Sequence, residues 1–518
     1  MVKNIQRKQT ILFLIVIGSL LLLLSGCSDE KKTATSNSDL ASEKHVTLAF
    51  PWSPQSLDPH GIDSWEVMRS GTAETLVKLD EELQTTPWLA KEWKQENDTT
   101  WVFTLEENVT FHNGEKMDAA SVKDSLLRSI EKDQKVKDLL QVESIEVVSD
   151  LELKIITKQP NAALVSHLAD PSTIIVDVAT LDKEDSYPAL TGAFSIKQFN
   201  KDESLIVEKY EDYWGEKALL SEVIISFIPD GNSRLMALQS GDVDGATDIP
   251  VDNMKVLDKD KRFEVSTAPS LRTHMLMFNM NSPMFQDVTL RKVVDLSIPR
   301  EEIVHSIMLE AGTEAKSPFP EVLSFGQVEK QASSESIDQL LEQDGWKKNS
   351  DGMWEKQGSI FEVTMLTFPQ RPELTVMAEA IQAELLNEGI KVNIRQVENI
   401  DEALVNEDWD LSMYSMLTAH TGDPQYFLNI FYQSASESNV SHYESSTVDR
   451  MIDELNQTSD TTKRNELAIE VQEVINQDLP QSFIVHPKTV FSTRNGVVGF
   501  TPHPIEYYYI HPELDVSE

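Results

Sequence analysis

Neutral imidazole nitrogen suits nickel, copper and zinc, whereas carboxylate and carbonyl oxygens suit harder ions. The sequence holds eleven histidines, scattered over 518 residues without the paired spacing of a helical or hairpin metal site. Three of them are candidates by loop position: His60 in Leu57-Asp58-Pro59-His60, His420 ahead of Asp423-Pro424, and His503 between Pro502 and Pro504. Proline fixes φ and keeps the His60 loop out of helices and ladders, and two prolines hold His503 on a stiff loop. Arg69 and Arg272 each offer a planar fork that matches a carboxylate in bidentate geometry, or a partner in a structural ion pair. Asp423 can take a ligand's ammonium group or cap the helix that follows it. Trp409 and Tyr414 are candidate cleft walls, because aromatic rings supply contact area at low entropic cost.

Catalytic signatures are missing. There is no GxSxG elbow, GxxxxGK[ST] phosphate loop, HExxH helix or Rossmann glycine fingerprint. The single cysteine, Cys27, rules out an intrachain disulfide and a multi-thiolate metal site. The formal charge of −41 argues against a nucleic-acid partner, whose phosphates it would repel. An enzyme and a resident cofactor are therefore not expected, and the chain is expected to be a monomer.

The elements that must position these side chains begin after an N-terminal address. Lys3, Arg7 and Lys8 precede an apolar run over 11–24 and the sequence Leu24-Ser25-Gly26-Cys27. A basic start, a short apolar stretch and small residues before a cleavage point read as a secretory signal over 1–26. Its ending resembles a bacterial lipobox, which implies that Cys27 becomes the lipidated, palmitate-bearing first residue. Residues 27–44 are a polar tether, so the expected location is the extracytoplasmic face of the cell membrane.

Roughly 470 residues then remain, enough for two lobes, since single cores stop growing near 250–300 residues. The spacing predicts a helix end near Leu76, a hairpin around Asn97-Asp98 with Trp101, Phe103 and Leu105 on one face, and a helix capped by Asp118. A second hairpin is expected over 145–157, a helix over 161–169, and a βαβ unit over 360–397 that favours parallel pairing. Strands over 483–486 and 490–492 follow a largely helical 447–479.

Several blocks in order carry a family resemblance: Pro87-Trp88-Leu89-Ala90, Phe111-His112-Asn113-Gly114, Tyr213-Trp214-Gly215, Gly241-Asp242-Val243-Asp244, and Asp423-Pro424 followed by Phe427-Leu428. With them the chain resembles the extracytoplasmic solute-binding proteins of ABC importers, in the class that takes oligopeptides, nickel and metal chelates. The resemblance implies an α/β two-lobe, periplasmic-binding-protein-like fold with a hinge near Arg272 and His486. Lobe I is the larger, spanning 45–272 with 487–518 returning to it, and lobe II spans 273–486. It further implies capture of nickel, as a complex with histidine or another small organic ligand, for delivery to a permease, with oligopeptide binding as the alternative. In the nickel binders that use histidine, a histidine from each of two regions grips the metal. Carried over, these are His60 and His503, with His420 assisting. Peptide binders place an acidic residue where His420 stands, which leaves Asp423 as the carboxylate nearest that role.

Overall fold

The computed structural model describes residues 44–181, 183, 186–329 and 334–517. Cys27, the signal and nearly all of the tether lie outside them. A twelve-stranded mixed sheet runs through the molecule. Its order is Lys391–Gln396, Glu362–Thr367, Leu411–Leu417, Arg272–Phe278, Gln481–Arg494, Gly245–Thr247, His45–Phe50, Glu222–Phe227, Ser204–Lys209 and Phe194–Asn200, with Phe263–Pro269 and Gly312–Glu314 also pairing to Gln481–Arg494.

The fourteen-residue strand Gln481–Arg494 is shared by two halves. Its first part pairs with Arg272–Phe278 and Gly312–Glu314, its second with Gly245–Thr247 and Phe263–Pro269. The change of partners falls at Pro487. Two separate strands, over 483–486 and 490–492, were expected. Although a proline cannot donate to a ladder, the strand passes through Pro487 unbroken, with Gly312 opposite it. The first half comprises the strands before Pro269 with residues 488–517, and the second half residues 272–487.

The expected hairpin forms as Ala90–Asn97 against Thr100–Leu105, and it continues through Glu152–Thr157 to Val142–Ser149 as a four-stranded sheet. Phe103 and Leu105 are fully buried, as a half-buried strand requires. Asp118 caps Ala119–Lys132 in a reciprocal box with Ser121. The βαβ unit is Glu362–Thr367, Pro372–Asn387 and Lys391–Gln396, with the two strands parallel.

Two local expectations fail for identifiable reasons. The first helix is Ser64–Arg69 and ends well before Leu76, because Gly71 turns the chain at φ 72, where an added Cβ would meet the Ile510 carbonyl oxygen at 2.7 Å. The chain then enters the strand Val77–Leu79. Only Leu164–His167 of 161–169 is helical, since Asp170-Pro171 starts a separate turn.

Candidate functional site

Glu506 is the electrostatic node between the halves. It lies two residues beyond Pro504, at φ 59, and is 5% exposed. A non-glycine residue in this region is strained, and such strain persists where the surroundings over-determine it. Here they do. Arg272 grips the carboxylate in bidentate fashion, Nε to Oε1 at 3.1 Å and Nη2 to Oε2 at 2.8 Å, and the Ser270 hydroxyl donates at 2.9 Å. Arg69 donates from Nε to the Glu506 carbonyl at 2.8 Å and from Nη1 to Glu66 at 3.2 Å. Burial alone would raise the Glu506 carboxyl, but Arg272, Arg371 and Arg69 outweigh it and hold the group well below the usual carboxylate range.

Beside this node lies a cavity of about 370 Å³, lined from the first half by Trp52, Arg234, Asp248 and Glu506 and from the second by Arg371 and Glu373. Arg371 immediately precedes the helix Pro372–Asn387, with Pro372 at its first position. Proline there keeps the preceding residue out of the helical region, so Arg371 projects from the helix start. Among the described residues its guanidinium has only loose ion pairs, 3.6 Å to Asp248 and 4.0 Å to Glu506, and no closer acceptor. Five donors on a nearly buried, weakly paired guanidinium suit a carboxylate entering the cavity. Burial opposes ionisation of Glu373, but His274 and Arg371 hold its carboxyl at about 2. The buried His274 Nε2 lies 3.4 Å from Glu373 Oε1.

A second cavity between the halves, about 600 Å³, is lined by His60, Trp65 and Asp170 on one side and Asp401, Tyr414 and Tyr426 on the other. His60 faces it with no lone pair to spare. Arg128 donates to Nδ1 at 3.0 Å, so Nε2 carries the proton and donates to the Ile174 carbonyl at 2.9 Å. His420 is fully buried, its Nε2 at 2.7 Å from Asp170 Oδ2 and its Nδ1 at 3.4 Å from the Leu417 carbonyl. His503 lies elsewhere, lining a cavity of about 560 Å³ built wholly from first-half residues. Its Nδ1 accepts from the Ile505 amide at 3.3 Å, and its ring meets Tyr508 edge-on.

The expected pairing of His60 with His503 is therefore not formed: the two line different cavities, and their nearest partners are protein groups. No set of three or more His, Cys, Asp or Glu side chains among the described residues is arranged to hold a metal ion. Arg272 and Arg69 do sit at the site, but bound to Glu506 and not open to a ligand. Tyr414 lines the second cavity, with its hydroxyl donating to Asp401 at 2.7 Å. Trp409 is a core residue, 4% exposed, donating to the Leu404 carbonyl at 3.1 Å. Asp423 is neutralised by Arg464 at 2.7 and 2.8 Å and also caps the Gln425 amide, so it is not a free anion. Sequence reasoning missed Arg371 and Glu506. The Arg371-Pro372 dipeptide at a helix start was a signal for the first; the second had none.

A sheet hinged on one shared strand, with solute-sized cavities between its halves, is the architecture of a two-lobed binding protein. Residues 84–439 match the bacterial extracellular solute-binding proteins, family 5, and the chain belongs to that family. Among its relatives is the nickel-binding protein NikA of Staphylococcus aureus, 30% identical over 502 residues, covering 96% of this chain and 97% of NikA. The crystal structure of that NikA in complex with Ni(L-His)2 superposes with a TM-score of 0.82 at 28% identity, covering 92% of this chain and all of the other. A nickel ABC transporter structure from Bacillus halodurans is 34% identical with a TM-score of 0.72, at the same coverage. The oligopeptide-binding protein AppA of Bacillus subtilis, in complex with a nonapeptide, shares the fold at 21% identity and a TM-score of 0.80.

Proposed function

We propose that this protein captures nickel as a complex with a small carboxylate-bearing organic ligand such as histidine and passes it to the permease of an ABC importer. The observation that carries the reading is Arg371, a weakly paired guanidinium lining a cavity between the lobes. Likeness to nickel-binding relatives over nearly the whole chain supports it. An ion that arrives already chelated has no need of a protein-built ligand set, which fits the scarcity of one among the described residues. The lobes close over the solute by hinge motion about the shared strand. In this reading the mature protein is held by lipid at Cys27 on the outer face of the cell membrane, and 27–44 gives it reach.

The test is isothermal titration of the metal-stripped domain with nickel, with and without excess L-histidine. Tight binding is expected only when histidine is present, and is lost in Arg371→Ala. Equal binding of nickel alone would overturn the pre-chelated reading. No heat in either condition, with peptides released from the purified protein, would move the assignment to oligopeptides.

A further inference from the structure

The arginine-lined cavity is balanced in charge. Its basic lining residues are Arg234, Arg272, Arg371 and Lys488. Its acidic ones are Asp248, Asp252, Glu373 and Glu506, four against four. Of the acids, Asp248 and Glu506 both lie beside the Arg371 fork, at 3.6 and 4.0 Å, and Glu506 is the buried one, its Oε2 held 2.8 Å from Arg272. A carboxylate docking on Arg371 must therefore settle beside existing anions, and next to the buried Glu506 such charges are screened less than in bulk water.

We propose that Glu506 is a resident counter-ion that sets the charge of the solute: the cavity accepts complexes that carry a carboxylate but no net charge, and rejects polyanionic chelates. This rests on the reading that a solute carboxylate binds Arg371, and it adds who is refused. One carboxylate satisfies the open fork of Arg371, while the metal or ammonium centre of the same solute answers the acidic side chains of the lining. A second or third uncompensated carboxylate finds no other loosely paired guanidinium in the lining and must sit beside Glu506 and Asp248. Like-charge juxtaposition excludes partners more effectively than favourable contacts select them. The strained φ of 59 at Glu506 fits such a role, because the backbone is bent to present this carboxylate.

The experiment compares the affinity of the full mature chain for the neutral 1:2 nickel–L-histidine complex with that for the nickel–EDTA dianion. In the unsubstituted protein the neutral complex is favoured. Glu506→Gln shifts the ratio toward the dianion by about tenfold or more, the effect of deleting one nearby charge at reduced dielectric. Because Glu506→Gln strips Arg272 of its partner and can fail to fold, Asp248→Asn is the second variant. Asp248 is 41% exposed on its side chain and only loosely paired to Arg371, so a shift in the same direction of about threefold is expected. Ratios that stay constant in the folded variants, with both affinities falling together, would show that Glu506 and Asp248 only hold the arginines in place. Binding of both chelates unchanged in Arg371→Ala would instead sink the reading on which the proposal rests.

Discussion

Two second-half side chains reach toward the first half, and they could hardly be treated more differently. His420 is saturated: one nitrogen is 2.7 Å from Asp170, the other faces the Leu417 carbonyl, and Trp65 and Tyr426 pack on the ring. Arg371 has no ion-pair partner nearer than 3.6 Å among the described residues. A residue type with metal affinity has been built into the structure, while a residue type common at surfaces has been left open at a cavity. What a side chain can do depends on which of its bonds are already made.

Acid should give the largest effect, because it charges histidines that the fold has buried. Burial holds His60, His167 and His486 at about 4, well under the ordinary 6.5. With the folded value depressed, the unfolded chain binds more protons between pH 6.5 and 4, so stability is full above pH 6.5 and falls as pH drops toward 4. Each group contributes about 3 kcal/mol at most. His60 would have to protonate the nitrogen that Arg128 now donates to, and His167 has neither ring nitrogen hydrogen-bonded in the described structure. Glu74, raised to about 7 chiefly by burial, pulls the other way above pH 4.5. Urea midpoints from pH 7.5 to 4 check the sum, and a midpoint that rises on acidification would refute it.

Asp170→Ala comes next. It leaves the His420 ring buried against a lost acceptor and should lower stability by about 3 kcal/mol, a typical figure for breaking a buried pair from one side. Calorimetry with Asp170→Ala, His420→Ala and the double variant measures the coupling; simple additivity would show that the pair does not act as one. Arg371→Ala should cost less stability, about 1 kcal/mol because its ion pairs to Asp248 and Glu506 are loose, while weakening solute binding roughly tenfold to a hundredfold. A large loss of stability in that variant would make Arg371 one more structural ion pair. The smallest effect is expected at His503→Gln, with nickel–histidine affinity within about twofold of the parent, since its ring lines a separate first-half cavity. A tenfold loss there would restore His503 to the metal site.

Much of the fold was legible because it rests on local signals. The alternation at Phe103 and Leu105, the cap at Asp118 and the βαβ pattern over 360–397 each depend on neighbours within a few residues. The site was far less legible. Glu506 becomes its centre only because Arg69 and Arg272, more than 200 residues away in sequence, converge on it. His60 was a sound candidate by type and loop, yet Arg128 and Ile174 claim its two nitrogens, a fact no local window contains. Asp423 was lost in the same way to Arg464. Long-range pairing decides availability, and availability decides function.

The shared strand Gln481–Arg494 also bears on the order in which the molecule can be assembled. Neither half of the large sheet has its central partner until residues 481–494 of 518 are in hand. Contacts of such sequence separation form slowly, because loop closure must be met before they reward it. Both halves thus wait on one late segment, and refolding from denaturant should show a slow closing phase common to probes placed in either one. A chain of this kind stays without its finished core until residues 481–494 are available, whatever its early hairpins have done in the meantime.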